Sequence, residues 1–257
     1  VQQVKWNSLF LRQMAESLVV IPTYKERENI GLMIDKVMSL PDEFDILVVE
    51  DNSPDGTADI VFEKMKSFPN RLFMEQRKGK LGLGTAYVHG FKWALAKSYQ
   101  FIFEIDADFS HNPEDLSRLL DACKNQGAEL AIGSRYVRGV NVVNWPMSRV
   151  LMSYFASIYV RMITGIKIHD ATAGFKCFRR NVLEKILSEP VRFVGYAFQI
   201  EMKFKSVHYG FNVQEVPIIF TDRTRGESKM SRGIFREAVF GVIWLKIWSL
   251  FHKGKTT

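Results

Sequence analysis

Phe101-Ile-Phe-Glu-Ile-Asp-Ala-Asp108 decides how this chain is read. The apolar run predicts a strand. Its two closing aspartates stand two apart, and the period-two geometry of an extended chain turns both side chains to one face. Two hard carboxylates on one face can share a divalent cation. In an open parallel sheet, ligands sit in the crevice beyond the carboxyl ends of the strands, and this pair lies at such an end. A polar turn ending a strand would show the same letters, so the reading depends on what surrounds the pair. His111 either completes a metal shell or caps the helix opened by Asn112-Pro-Glu-Asp, where Pro113 takes a tolerated first-turn position.

Upstream, Leu18-Val-Val-Ile-Pro-Thr reads as a buried parallel strand. Helical spacing of Ile30, Met33, Ile34 and Val37 follows over 29–40, and then comes a second strand, Asp45-Ile-Leu-Val-Val-Glu. Asn52-Ser-Pro-Asp-Gly-Thr supplies turn and capping residues ahead of a helix carrying Ile60, Val61 and Met65, and 71–75 reads as a third strand. Lys78-Gly-Lys-Leu-Gly-Leu-Gly-Thr then opens a helix running through Ala96. Strands alternating with helices predict an α/β fold with a mostly parallel, Rossmann-like sheet flanked by helices. Beyond Ala131-Ile-Gly-Ser-Arg the pattern loosens into an apolar-aromatic helix over 144–168, a strand over 214–220, a polar loop over 221–231 and an apolar helix over 233–251.

Three predicted strand ends share one edge. Pro22, Tyr24 and Glu26 follow the first, Val49, Glu50 and Asp51 close the second, and Asp106 and Asp108 close the strand at 101–105. An aromatic ring and a carboxylate can hold a base and a ribose while a metal holds a diphosphate, which describes a nucleotide-sugar pocket. The glycine run 79–84 lacks the Lys-Ser/Thr ending of a P-loop. It reads as a tight turn before a helix, either bringing Lys80 near the nucleotide or forming a simple surface loop.

The 257 residues are 47% hydrophobic and 25% charged, which excludes a disordered chain. Lysine and arginine exceed aspartate and glutamate by 35 to 28, a formal charge of +7, so an anionic partner is expected. Without an RNP-type run, zinc-finger spacing or basic arm, nucleic acid is set aside in favour of phosphorylated substrates and anionic lipid. Cys123 and Cys177 lack metal-ligand spacing and read as reduced cytosolic core residues. Residues 1–17 read as an N-terminal extension without a signal-peptide pattern, Met14 being a plausible start. No run of the roughly 20 apolar residues needed to span a bilayer occurs, so membrane contact is expected to be peripheral.

Val20-Ile-Pro-Thr-Tyr-x-Glu, Glu50-Asp-Asn-Ser-Pro-Asp-Gly-Thr, Leu81-Gly-Leu-Gly-Thr-Ala-Tyr, Asp106-Ala-Asp-x-Ser-His and Gly133-Ser-Arg-Tyr together resemble the polyprenol-phosphate (dolichol-phosphate) mannose synthases of glycosyltransferase family 2. The ordered set runs from Leu18 to about Lys229. One departure is Glu50, where many members carry aspartate. The resemblance implies a GT-A fold over 18–231 and inverting transfer of mannose from GDP-mannose to a polyprenyl monophosphate, with Mg²⁺ or Mn²⁺. It implies that Pro22, Tyr24, Glu26, Val49 and Asp51 contact the base and ribose, and that Ile105, Asp106, Ala107 and Asp108 hold metal and sugar-diphosphate. Arg223 and Lys229 match a loop closing on the diphosphate, and Arg135 and Arg149 match acceptor-phosphate arginines. His169-Asp170 falls in an acceptor-loop region, where Asp170 could orient acceptor or sugar. The alternatives are a UDP-sugar transferase acting on the same lipid class and a regulator that binds nucleotide sugar without turnover.

The last segment, 232–257, reads as an amphipathic helix. Phe235, Val239, Val242, Ile243, Leu245, Ile247, Trp248 and Phe251, interrupted by Arg232, Arg236 and Lys246 and followed by His252-Lys-Gly-Lys, fit an interfacial helix with basic anchors. A core or oligomer helix fits the same spacing. A lipid acceptor favours the first reading, and with it a cytoplasmic protein held peripherally at the membrane.

Overall fold

Uninterrupted apolar runs build the middle of a seven-stranded sheet. A computed structural model describes residues 15–223, 233–252 and 254. In chain order the elements are β1 (Ser17–Thr23), α1 (Ile30–Met38), β2 (Phe44–Glu50), α2 (Thr57–Ser67), β3 (Leu72–Gln76), α3 (Leu83–Leu95), β4 (Phe101–Glu104), α4 (Asp115–Lys124), β5 (Leu130–Ser134), β6 (Val142–Val143), α5 (Met147–Thr164), β7 (Lys176–Arg179), α6 (Arg180–Leu187), α7 (Tyr196–His208), β8 (Val213–Pro217), β9 (Phe220–Thr221) and α8 (Gly233–Phe251). The sheet order is β3-β2-β1-β4-β7-β5-β8. β7 runs antiparallel to both β4 and β5, and every other pairing in this sheet is parallel.

Alternation along the strands feeds two cores. Val19, Ile21, Ile46 and Val48 pack with α1, α4 and Val61 of α2, whereas Leu18, Val20, Leu47 and Val49 pack with α3, α6 and α7. β1 and β2 are almost wholly buried, as strands covered on both faces must be. Their register pairs Pro22 with Val49 and Thr23 with Glu50, so the two ends finish level at one edge.

The looser second half departs from the sequence pattern in two places. The strand expected over 214–220 is broken after Pro217, and Phe220–Thr221 instead pairs with β6 in a separate two-stranded ribbon. The helix expected over 144–168 is shorter, because Gly165 ends α5 in a left-handed conformation (φ 81°). Cys123 and Cys177 are buried and unbridged, as expected of core thiols.

α8 is two-sided. Val242, Leu245 and Trp248 belong to the core, while Phe240, Ile243, Ile247, Leu250 and Phe251 are exposed. Tyr159 of α5 ties the two helices by donating to the Val239 carbonyl at 3.0 Å. α5 itself exposes Met147, Leu151, Met152, Phe155 and Met162. Among the described residues, no helix is long and apolar enough to cross a membrane. Arg232 lies outside the described residues, as do the side chains of Phe235 and Arg236.

Candidate nucleotide-sugar site

β4 ends at Glu104, so Asp106 and Asp108 sit in the loop just beyond it, which turns through Phe109 at a left-handed φ of 58°. Asp106 Oδ1 accepts from the Tyr87 hydroxyl at 3.2 Å, and Tyr87 is itself clamped by stacking on Phe198. Asp108 Oδ1 accepts the Ser110 amide at 3.0 Å, and its Oδ2 lies 2.9 Å from Arg223 Nη2. Loss of water around Asp106, followed by the negative charge of Asp108, pushes its carboxyl up to about 7. Asp106, held at such a cost beside a second carboxylate, fits a hard cation, which would relieve the repulsion. No group of three His, Cys, Asp or Glu residues suited to a metal occurs among the described residues. A magnesium-type site takes one or two carboxylates and completes its shell with phosphate oxygens and water.

His111 does not cap α4. It is buried between the rings of Phe175 and Phe220, and burial lowers its pKa to about 4. The amide of Glu114 at the start of α4 is instead capped by Asn112, at 3.1 Å. Ile105 and Ala107 are likewise buried, so they can offer a ligand only backbone groups. Val49 is also fully buried in the core, whereas Pro22, Tyr24 and Glu26 are half-buried at the strand end.

On the nucleoside side, buried Glu50 accepts the amides of Asn52 and Ser53, each at 2.8 Å. The residue that departs from the family pattern therefore shapes the following loop. Asp51 is gripped from both sides by Arg77, Nε at 2.6 Å and Nη2 at 2.7 Å. Glu26 accepts from Asn29 at 3.0 Å, and its amide donates to Thr57 Oγ1 at 3.0 Å. Lys80 Nζ lies 5.2 Å from the centroid of the Tyr24 ring, so the glycine loop does bring this lysine to the strand-end aromatic. Gly84, in the first turn of α3, lets that helix pack closely against α7 and the segment before it: a Cβ there would stand 2.8 Å from Phe198 and 2.9 Å from the Phe193 carbonyl.

The two predicted acceptor arginines part company. Arg149 is on the rim, paired to Asp222 at 2.9 Å and stacked 4.3 Å from the Trp145 ring. Trp145 Nε1 is buried without a hydrogen-bond partner among the described residues. Arg135 instead turns inward. Its amide, Nε and Nη2 all donate to Asp170, at 2.9, 2.7 and 2.6 Å, and Nη2 also reaches Thr172 at 2.8 Å. Burial would raise the Asp170 carboxyl, but the guanidinium outweighs it and holds the acid below its usual range. The loop carrying Asp170 is pinned by Glu215, which accepts the amides of His169 and Asp170, and by Lys203, whose ammonium donates to the carbonyls of Ala171 and Ala173. A Cβ on Gly174, at the end of this loop, would lie 3.9 Å from Asp106 Oδ2, so the loop adjoins the acid pair. Lys229 lies outside the described residues.

Several residues that tie this site together carry no sequence signal strong enough to single them out. Arg77 is one charged residue after a strand, and Tyr87 one aromatic in a helix. Lys176 and Lys203 belong to none of the motifs above, and both are fully buried. Lys176 pairs with Glu104 at 2.8 Å and also donates to Gln199.

Comparison with known proteins agrees with this geometry. The chain is 49% identical over 232 residues to polyprenol monophosphomannose synthase of Mycolicibacterium smegmatis, covering 90% of this chain and 87% of that one. It is 43% identical over 225 residues to undecaprenyl-phosphate mannosyltransferase of Micrococcus luteus, covering 88% and 91%. Among solved structures, glucosyl-3-phosphoglycerate synthase of Mycobacterium tuberculosis with Mn²⁺, UDP-glucose and phosphoglyceric acid has a TM-score of 0.64 at 15% identity, covering 94% of this chain and 81% of that chain. A mannosyltransferase of Pyrobaculum calidifontis with GDP-Man and Mn²⁺ has a TM-score of 0.56 at 14% identity, covering 93% and 72%; at these identities the likeness is one of fold. With a strand-end acid pair on a mostly parallel sheet, and with residues 18–187 matching the profile described as glycosyl transferase family 2, the chain belongs to that family.

Proposed function

We propose that this glycosyltransferase moves mannose from GDP-mannose to the phosphate of a polyprenyl monophosphate, with inversion at the anomeric carbon and with Mg²⁺ or Mn²⁺ bound by Asp106 and Asp108. The observation that carries the reading is the character of the acceptor side. Asp170 and Asp222, the acids beside Arg135 and Arg149, are each already paired with an arginine. A sugar hydroxyl acceptor calls for a general base, whereas a phosphomonoester, with a second pKa of about 6, arrives as an anion and needs cations to place it.

Tyr24, Glu26, Asp51 and Lys80 hold the nucleoside end of the donor, and the backbone of Pro22, Val49, Ile105 and Ala107 lines the same crevice. A divalent metal held by Asp106 and Asp108 would supply neutralisation of the diphosphate charge. Arg223 adds positive charge where negative charge develops, the role that the family resemblance also gives to Lys229. Arg149 receives the lipid phosphate beside the unpartnered indole nitrogen of Trp145, and Arg135 backs it from within. The exposed apolar side chains of α5 and α8 rest on the lipid surface, which keeps a long polyprenyl tail in the membrane while its phosphate enters the site.

The test supplies GDP-mannose and UDP-glucose separately, together with a polyprenyl phosphate, and identifies the glycolipid by mass spectrometry. Mannosyl phospholipid from GDP-mannose is expected. Glucosyl lipid from UDP-glucose, or no product from either donor, overturns the reading.

A further inference from the structure

We infer that Arg77 is a positioning residue for the nucleoside end of the donor, acting through Asp51 and through the glycine loop that carries Lys80. The inference rests on the donor pocket proposed above. Its basis is a fork with three occupied arms. Nε and Nη2 hold the two Asp51 oxygens at 2.6 and 2.7 Å, and Nη1 donates to Thr85 Oγ1 at 2.8 Å. Thr85 in turn donates to the Gly82 carbonyl at 2.7 Å, at the start of α3.

Each contact removes a freedom that a binding site must otherwise lose on meeting its ligand. A bidentate guanidinium fixes the plane of a carboxylate as well as its distance, which a lysine cannot do. Both side chains of the pair are under a tenth exposed, 8% for Arg77 and 7% for Asp51, so water competes little. The base of the fork is fixed too: the Arg77 amide donates to the Glu50 carbonyl at 2.8 Å, extending the pairing of β2 and β3 by one residue. On the other side Gly82, at φ 101°, turns the chain into α3, and Lys80 two residues earlier lies over the Tyr24 ring. One buried arginine therefore joins the end of β2 to the loop facing it across the nucleoside crevice.

The charge of Arg77 is matched by Asp51, so it is not a cation in search of a phosphate. Its loss should weaken nucleotide binding and leave the chemical step largely alone.

Titration calorimetry first compares GDP and UDP on the unaltered protein. Tighter UDP binding would remove the donor reading, and the Arg77 comparison then runs on uridine nucleotides. Arg77→Ala is expected to weaken the preferred diphosphate about tenfold or more and the matching monophosphate by the same factor, with kcat at saturating donor within about threefold and the acceptor KM unchanged. Arg77→Lys should recover part of the loss, and Thr85→Val, which leaves the Asp51 pair intact, should cost a few-fold. Asp51→Asn with Arg77→Ala should bind only a few-fold more weakly than Asp51→Asn alone, the share carried through Thr85, and not by the product of the two single losses. Unchanged affinity, a loss confined to the diphosphate, or penalties that multiply in the double variant would each overturn the inference. Circular dichroism melts accompany every variant; if Arg77→Ala does not fold, Arg77→Lys and Thr85→Val make the same comparison.

Discussion

Arg223 Nη2 lies 2.9 Å from Asp108 Oδ2, so the cation proposed to meet the departing diphosphate is paired with an acid proposed to hold the metal. The two roles exclude one another at the same oxygen. Arg223→Ala should therefore bind Mn²⁺ more tightly in the absence of nucleotide, while turnover falls by about 10- to 100-fold. Electron paramagnetic resonance of free Mn²⁺ reads the first effect and glycolipid assay the second. Asp108→Ala should lose transfer altogether with its melting temperature little changed, and near-normal turnover would remove the metal assignment.

Gly84→Ala and Gly79→Ala form a matched pair. A methyl group at Gly84 meets Phe198 at 2.8 Å and backbone at 2.9 Å, whereas one at Gly79 meets nothing within 4 Å. The first substitution should destabilise by about 1–3 kcal/mol, the second by well under 1 kcal/mol. Urea denaturation distinguishes them.

Asp170→Asn separates a structural acid from a catalytic base. The carboxyl is held below its usual 3.8, first against burial and then by Arg135. An acid with a lowered folded pKa contributes stability that is complete above the unfolded value and is lost as pH falls through the folded one. The asparagine variant should lose about 3–5 kcal/mol at neutral pH, because the Arg135 guanidinium stays buried without its counter-charge. Its remaining activity should keep an unshifted pH–rate profile between about pH 6 and 9. An acidic limb of the native profile that disappears in the asparagine variant would make Asp170 a base.

Arg149→Ala should raise the acceptor KM by about tenfold or more without moving the donor KM. The companion substrate is a polyprenol with a free hydroxyl in place of its phosphate, which should be inert. Efficient mannosylation of that alcohol would redirect attention to a carboxylate.

Membrane contact is best tested on single exposed side chains. Removing α8 whole would strip Val242, Leu245 and Trp248 from the core, so a loss of binding could be mere unfolding. Serine at Met162, Leu250 and Phe251, exposed at 78, 73 and 81%, should lower sedimentation with vesicles containing anionic lipid while leaving the melting temperature within a few degrees. Undiminished vesicle binding would mean that other residues make the contact.

The donor half was legible because its strands are short, apolar and capped by chemistry: β1, β2 and β4 lie within a residue or two of the runs that announce them. The acceptor half was not. α7 carries Glu201, Lys203 and Lys205 fully buried, so its charges mimic a solvated face while serving as internal ties to the loops around it. β7 is four residues long and gives no periodicity to read. Arg135 and Arg149 look alike in sequence, and only the partner each finds, Asp170 inside or Asp222 at the rim, tells them apart.

The reversed direction of β7 has an evolutionary consequence. In a strand running with its neighbours, the segment after it reaches the working edge; here it is the segment before it, because Lys176 at the start of β7 sits opposite Glu104 at the end of β4. Residues 169–174 thus arrive at Asp106 from the opposite direction to every donor segment, on a piece of chain that shares no turn with them. With the acceptor role proposed for this segment, mutations there would change which acceptor is received without passing through the β1, β2 and β4 ends, so a lineage could exchange acceptors while the proposed donor crevice stays under separate selection.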